Sequence, residues 1–423
     1  MSSRRSRVTG LRAMGAGLAA LGLLASGCGG GDTGADGKVT IRYSWWGAQD
    51  RADLINRTID LFEKENPGIE VKTDFQEYGD FWTKFNTQAA GGNPPDVFQN
   101  SYAFLRKYGQ KNLLLDLNAQ VKAGNLNLDD FRQGLGRAGE IDGKLLGVPV
   151  GANTFTLVYD VKAFEEAGVT PEHGWTWKDF DAAVEKISEP GEEFWGASSN
   201  GGVMYLYDLY LRQQGKAFFT EDGLGFTEAD LRKWWGDHRA KLDDGLLVPA
   251  KQAAQVLPKS EVSAGLSAAE FTWDNFLARY ASETDRELAL APIPTVDGER
   301  TAQYLSSLML SASARTGHPE EVAEFIDFMV NDPEVGKIMG YNRGVLPTNA
   351  QFEAYEPEGP DAKIAEYEES VTDYLEPITP HPAGTDTVEA AFLSIYRSMA
   401  QGSVSVDEAV SQFFDEAKTA LGS

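Results

Sequence analysis

Two places in the chain set tryptophan where chemistry is possible. Trp45 and Trp46 stand side by side before Gly47, and Trp273 runs directly into Asp274 and Asn275. An indole face beside a carboxylate and an amide recognises a ligand without any covalent step. The ring covers the apolar C–H side of a flat, partly apolar molecule such as a sugar ring. The carboxylate and amide bond its hydroxyls, the charge-assisted bonds being the stronger. Core packing is the open alternative for each indole. For Trp273 that alternative is a helix start capped by Asp274.

The residues that would mark covalent, metal or cofactor chemistry do not gather. His173, His238, His318 and His381 are scattered, with no partner at metal-ligand spacing. Gly134-Leu-Gly-Arg-Ala-Gly139 matches the dinucleotide fingerprint by letter, but the fingerprint needs a strand before it and a helix after it. Here a helical segment, 127–133, is expected before it and an extended one, 140–150, after it. No Gly-x-Ser-x-Gly elbow and no Gly-Lys-Ser/Thr phosphate loop occurs. Acidic pairs are many, and a glycosidase dyad depends on a carboxylate separation that only the fold sets. No pair is singled out, and no cofactor is expected.

The elements that must position these groups begin at Lys38. Val39, Ile41 and Tyr43 alternate with Thr40, Arg42 and Ser44, which is strand patterning. The alternation ends on the two tryptophans, and helical spacing (Leu54, Ile55, Ile59, Phe62) follows until Asn66-Pro67-Gly68 stops it. Ile69 to Phe75 reads as a second strand, Phe81, Phe85 and Ala89 as a second helix, and Pro94 to Asn100 as a third strand. Strands and helices in alternation with short turns predict parallel crossovers and an open α/β sheet, whose ligand groups sit at the strands' C-terminal ends. Further on, Thr176 with Asp179 and Thr227 before Leu231 carry capping signatures, the second with a Phe226–Leu231 staple. Trp234 and Trp235 read mainly as packing. Leu288 to Ile293 is a strand, and Val322, Phe325, Ile326 and Met329 mark an amphipathic helix. From Glu353 on, the chain is acidic and helical, interrupted by Pro377, Pro380 and Pro382.

Residues 1–27 read as a leader rather than fold. Arg4, Arg5, Arg7 and Arg12 precede an apolar run from Ala13 to Leu24 that is too short to span a bilayer but suits a secretory signal. The run ends in Leu24-Ala-Ser-Gly-Cys28, which resembles a bacterial lipobox and makes Cys28, the single cysteine, the expected lipidation site. Ordinary cleavage near Ala25 is the alternative, and Sec or twin-arginine export is open. Residues 28–37 form a glycine-rich tether. A lipid, a tether and a globular body describe a protein anchored to the outer face of the bacterial membrane. The formal charge of -26, more negative once the leader arginines are gone, argues against nucleic acid and anionic lipid as partners.

Several stretches, in order, resemble one family. Ser44-Trp-Trp-Gly47, Phe62-Glu-Lys-Glu-Asn-Pro-Gly-Ile-Glu-Val71 and Gln88-Ala-Ala-Gly-Gly-Asn-Pro-Pro-Asp-Val97 are similar to the solute-binding proteins of carbohydrate ABC importers, the maltose-binding-protein-like family 1. So are Gly147-Val-Pro-Val150, Leu157-Val-Tyr-Asp160, Trp175-Thr-Trp-Lys-Asp-Phe180, His318 to Phe328 and Gly344-Val-Leu-Pro-Thr-Asn349. Ala268 to Phe276 falls where that family has a small-residue helix start facing its cleft. The resemblance implies a two-lobed α/β fold of the type II periplasmic-binding kind, with open sheets flanked by helices. One lobe would be 38–149 with 303–350, the other 150–302 with 351–423, joined by strands near 149–152, 300–303 and 350. It further implies a mono- or oligosaccharide bound between the lobes, membrane permease subunits as partners, a monomer, and no catalysis. Candidate ligand contacts are Trp45, Trp46, Tyr78, Asn100, Tyr102, Asn153, Asn200, Trp273, Asp274, Asn275, Tyr304 and Arg343, with Tyr78 and Arg343 resting mostly on the resemblance. A secreted carbohydrate-active enzyme, or a receptor of the same fold for a peptide, polyamine or metal chelate, are the competing readings.

Overall fold

A computed structural model describes residues 37–47, 49–188, 193–220, 223–299, 303–377 and 381–422, without the side chains at 103, 133, 134, 303–307, 376 and 377. The leader, Cys28 and the tether to residue 36 lie outside the described residues. Strand β1 (Val39–Trp46) leads into the 17-residue helix Gln49–Glu65, which buries Ala52, Ile55, Ile59 and Phe62. That helix ends where Asn66 donates to the Phe62 carbonyl, since Pro67 has no N–H to continue it. Strand β2 (Ile69–Gln76), the helix Tyr78–Ala90, β3 (Val97–Asn100) and the helix Tyr102–Gln110 follow. A small hairpin, β4 (Glu140–Ile141) with β5 (Lys144–Leu145), precedes the 13-residue β6 (Val148–Asp160). Later strands are the pair β7 (Phe219–Thr220) and β8 (Gly223–Leu224), then β9 (Ala269–Trp273), β10 (Leu288–Ala291), β11 (Gln303–Ala312) and β12 (Leu375–Pro377).

The main sheet runs β2-β1-β3-β11-β6-β10, with β9 also paired to β6 and β12 to β11. Only part of it matches the parallel expectation, with β12 also parallel to β11. β1 pairs parallel with β2 and β3, whereas β11 lies antiparallel between β3 and β6. Strand β6 serves both lobes. Val148 to Thr154 pair with β11, and Phe155 to Asp160 pair with β9 and β10. The chain returns alongside it at Val345, which exchanges both backbone hydrogen bonds with Ala152 at 2.7 and 2.8 Å. The architecture is two-lobed α/β.

One apolar core lies under the helix Gln49–Glu65 and the helix Pro319–Asn331, built from Ile41, Tyr43, Trp45, Ile55, Phe62, Phe325 and their neighbours. The other face of β1 and the second lobe share a larger, aromatic core that takes in Trp46, Phe85, Phe155, Tyr207, Trp235 and Phe413. Capping boxes start the helices Trp177–Ile187 and Glu228–Asp243 at Thr176 and Thr227, and a third starts Val406–Leu421 at Ser405 with Glu408.

Two expected helical segments differ. Residues 127–131 are not helical, and the glycine motif at 134–139 begins within the short 3-10 helix Arg132–Arg137 and runs into the turn after it, so it lacks the strand-to-helix turn that dinucleotide binding needs. Ala269 to Trp273 is strand rather than the start of a helix, because alternate residues Ala269 and Phe271 bury against β6, and the helix begins only at Phe276.

Candidate ligand cleft

Successive residues of a strand point to opposite faces, and this separates the two adjacent tryptophans. Trp45 is fully buried in the first core, 4.8 Å from the Tyr43 ring and stacked at 5.7 Å on Phe75. It is a core residue rather than an exposed ligand platform. Trp46 turns to the other face, edge-on to Tyr78 at 5.4 Å and tilted against Trp82 at 5.5 Å. Trp82 in turn stacks on Phe104 at 3.9 Å. Tyr78 tops this wall and is 51% exposed. Tyr102, the first residue of the helix after β3, is buried in the same cluster.

The second wall is built from β9 and β6. Trp273 closes β9 and meets Phe155 edge-to-face at 5.1 Å and Tyr205 at 5.3 Å, keeping part of its ring exposed. Asn275 follows it, half-buried, as the N-cap of the helix Phe276–Ser282. Glu389, on the helix Thr385–Ala400, acts electrostatically on both Tyr78 of the first wall and Tyr205 of the second. Burial first, and then Glu389, push the Tyr78 hydroxyl up to about 12. The same two causes raise Tyr205, with Tyr78 itself a further contributor. Glu389 is pushed up to about 7, chiefly by burial and then by Asp386. Beside it, two contacts tie the helix Tyr102–Gln110 to the chain around Glu389. Lys107 pairs with Asp386 at 2.5 Å, and Arg106 donates to the His381 carbonyl at 3.1 Å.

Other expected contacts are occupied within the fold. Asn100 is fully buried, its amide donating to Ser311 at 3.0 Å while its carbonyl accepts from the Ser101 N–H. Asn153 donates to the Arg343 carbonyl at 3.1 Å, tying β6 to the returning chain. Asn200 clamps the backbone of Phe271 with both ends of its amide. It also lines a pocket of about 130 Å³ within the second lobe whose walls include Trp177, Tyr210 and Trp234 but none of Trp46, Tyr78, Trp273 or Glu389. Asp274 is fully buried, accepts from the Asn275 N–H at 2.7 Å, and its carboxyl is raised well above the usual range by burial and by Glu368. These four positions are set by hydrogen bonds within the fold or by burial. Arg343 is buried, with a guanidinium N–H donating to the Tyr43 hydroxyl at 2.6 Å rather than to a carboxylate. Tyr304 lies on β11 opposite Glu376, and its side chain is among those outside the description.

Glu389 and Tyr205 were not among the residues singled out from the sequence. Thr385, Val388, Ala391, Phe392 and Ile395 form the buried stripe of their helix, and Glu389 sits within it by position. An acid on the apolar side of a helix was the available signal. Together Trp46, Tyr78, Tyr205 and Trp273 offer ring faces and edges, and Glu389 a carboxyl that acts on both tyrosines, which suits stacking and hydroxyl recognition. Among the described residues, no group of three His, Cys, Asp or Glu side chains gathers as a metal site.

Comparison with known proteins agrees with this architecture. The family model for bacterial extracellular solute-binding proteins matches residues 42–335. The multiple sugar-binding protein of Streptococcus mutans is 26% identical over 331 residues, covering 69% of this chain and 71% of its own. An uncharacterized lipoprotein of Streptomyces antibioticus is 24% identical over 354 residues, covering 79% and 76%. The solved structure of an ABC substrate-binding protein from Listeria monocytogenes in complex with cycloalternan has the same fold. Its TM-score is 0.81 at 21% identity, over 91% of this chain and 99% of that one. With the family model matching most of its length and its two lobes built as described, this chain belongs to the bacterial extracellular solute-binding proteins.

Proposed function

We propose that the chain is the substrate-binding component of an ABC importer and that its cargo is a mono- or oligosaccharide held between the lobes. The observation that carries this reading is the pair of aromatic walls, Trp46 with Tyr78 and Trp273 with Tyr205, with Glu389 acting on both tyrosines. The Streptococcus mutans relative and the Listeria complex, named for sugars or solved with one, support it. The lobes are taken as 38–149 with 303–350 and 150–302 with 351–423. They close by a hinge at the crossing strands, driven by the ligand's greater affinity for the closed form. The closed form is what a membrane permease receives. No bond is made or broken in this cycle.

The protein works as a monomer outside the cytoplasm, held by a lipid on Cys28. The lipobox-like run before Cys28 and the Streptomyces antibioticus relative's description as a lipoprotein support the anchor. No helix among the described residues is long and apolar enough to cross a membrane. Mass spectrometry of the protein from membranes shows a lipid-modified N-terminal Cys28 on this reading, and an unmodified N-terminus elsewhere sinks the anchor.

A thermal-shift screen against mono- and oligosaccharides, with amines and peptides beside them, tests the cargo. A ligand that binds only the folded state raises the melting temperature by mass action. A sugar that stabilises the protein and is recovered intact supports the receptor. Recovery of cleaved sugar would establish an enzyme instead, and stabilisation by amines or peptides alone would keep the fold and change the ligand.

A further inference from the structure

Two guanidiniums lie buried together beside the end of β1. Arg343 is 3% exposed, and its Nε–H meets no acceptor. Its recorded side-chain bond goes to the neutral Tyr43 hydroxyl. Arg51, largely buried in the first turn of the helix Gln49–Glu65, donates from Nε and Nη2 to the side-chain and backbone oxygens of Asn342, both at 2.8 Å. These partners are uncharged as well. The two cations are close enough that, after burial, Arg343 is the main influence lowering Arg51 to about 10, with Asp50 and Tyr43 only partly opposing. A third donor lies nearby. Trp45, whose ring is 4.8 Å from that of Tyr43, has a buried indole N–H without an acceptor.

Burying one charge without a counter-ion is costly, and burying two like charges together is more so. Asn342 and Tyr43 are themselves neutral, so neither offsets a guanidinium charge. The position explains what would. Arg51 lies against Gly47, directly after the Trp46 wall, and its Cδ is 2.8 Å from where a side chain at Gly47 would begin. Arg343 precedes Gly344, which abuts Ala152 and Asn153 of the crossing strand β6. The pair therefore sits at the end of β1 beside the crossing strand, with Arg51 at the positive N-terminal end of a long helix.

We infer that the cargo is an acidic sugar and that Arg51 and Arg343 receive its anionic group, a carboxylate or a phosphate. This rests on the sugar-receptor reading and narrows its substrate class. Guanidinium pairs match the paired oxygens of both groups. An anion would complete the unpaired Nε–H and cancel the repulsion between the two arginines. The chain's overall charge of -26 does not prevent this, because exposed charge is screened within about 8 Å at physiological salt.

Isothermal titration of the purified protein with matched pairs tests the inference: galactose against galacturonate, and glucose against glucuronate and glucose 6-phosphate. At least one acidic sugar binds about tenfold or more tightly than its neutral partner, and the advantage shrinks at high salt. The order of glucuronate and glucose 6-phosphate tells carboxylate from phosphate. In Arg343→Gln the advantage falls to within about twofold. Arg51→Gln, at the less buried position, is the second variant if Arg343→Gln does not melt cooperatively. A purely structural role for the arginines would lower the melting temperature and leave the acidic-to-neutral ratio unchanged, which overturns the inference. Neutral sugars binding as well as their acidic partners also overturn it while leaving the sugar receptor standing. If neither these sugars nor neutral and acidic oligosaccharides bind, both readings fall.

Discussion

Trp273 presents part of its ring between Phe155 and Tyr205, which fix its orientation by edge-to-face contact. A ring held in this way stacks on a ligand without losing much rotamer freedom on binding. Trp273→Ala is therefore expected to weaken sugar binding by about 1–3 kcal/mol, the range for aromatic anchors, with a smaller loss of stability. Trp45 supplies the contrast. It is fully buried between Tyr43 and Phe75, so Trp45→Ala should lower the unfolding free energy by about 3–5 kcal/mol. Calorimetric titration of the first variant and urea melts of both read these outcomes. Equal affinity in Trp273→Ala and wild type would return that ring to the core. At this scale the sequence showed which residue types could recognise a sugar but not which way they pointed. Asn100, Asn153 and Asn200 carry the right amides, yet each is committed to Ser311, Arg343 or Phe271, residues far away in the chain. Acids on helices are usually solvated, and Glu389 gains a role only through its electrostatic influence on Tyr78 and Tyr205.

The elements were more legible than the contacts. Period-2 runs and their Asn-Pro-Gly stop placed β1, its helix and β2, and the Thr-x-x-Asp signatures placed two helix starts, because these signals are local. The antiparallel place of β11 and the service of β6 to both lobes depend on pairing across long stretches of chain, which periodicity does not encode. β9 was missed for the same reason, since its five residues become strand by pairing with the far half of β6. Where the returning chain meets β6, the approach is too close for a side chain. Gly344 has φ +109, and a Cβ there would lie 2.4 Å from the Ala152 carbonyl oxygen and the Asn153 amide oxygen. Gly344→Ala adds backbone strain of about 1–3 kcal/mol to that clash. The expected outcome is a lower urea midpoint, and a shifted hinge that weakens binding of every ligand by the same factor. An unchanged midpoint would mean that the two strands separate easily, so this crossing would not be a fixed hinge.

Across the whole molecule, buried titratable groups pull stability in opposite directions with pH. Glu261 and Glu389 are both held near 7 by burial, so their folded forms keep protons that the unfolded chain has released. Their stabilisation is full below the ordinary glutamate range near 4.5 and is lost as pH rises through about 7. His238 and His381 are pushed down to about 4, also by burial, and have the opposite sign. The folded state keeps them neutral, so their stabilisation is full above about 6.5 and is lost as pH falls towards 4. Between about 4.5 and 6.5 the two acids and two imidazoles largely cancel. Above 6.5 the imidazoles are neutral in both states and only the acids still titrate, with Glu270 and the Asp274–Glu368 pair raised in the same sense. With these further raised acids counted, the melting temperature should therefore fall gently from pH 5 to 6.5, where the imidazoles offset part of the loss, and more steeply above pH 6.5. Glu389→Gln isolates one contribution, because the amide has no charge to bury. It should match wild type near pH 4.5 and exceed it at pH 8 by roughly 1–3 kcal/mol. Melts of the two proteins at matched pH read the difference directly. A gap that stays constant from pH 4.5 to 8 would mean that Glu389 titrates normally in the folded state, and its influence on Tyr78 and Tyr205 would then be that of an ordinary solvated carboxylate.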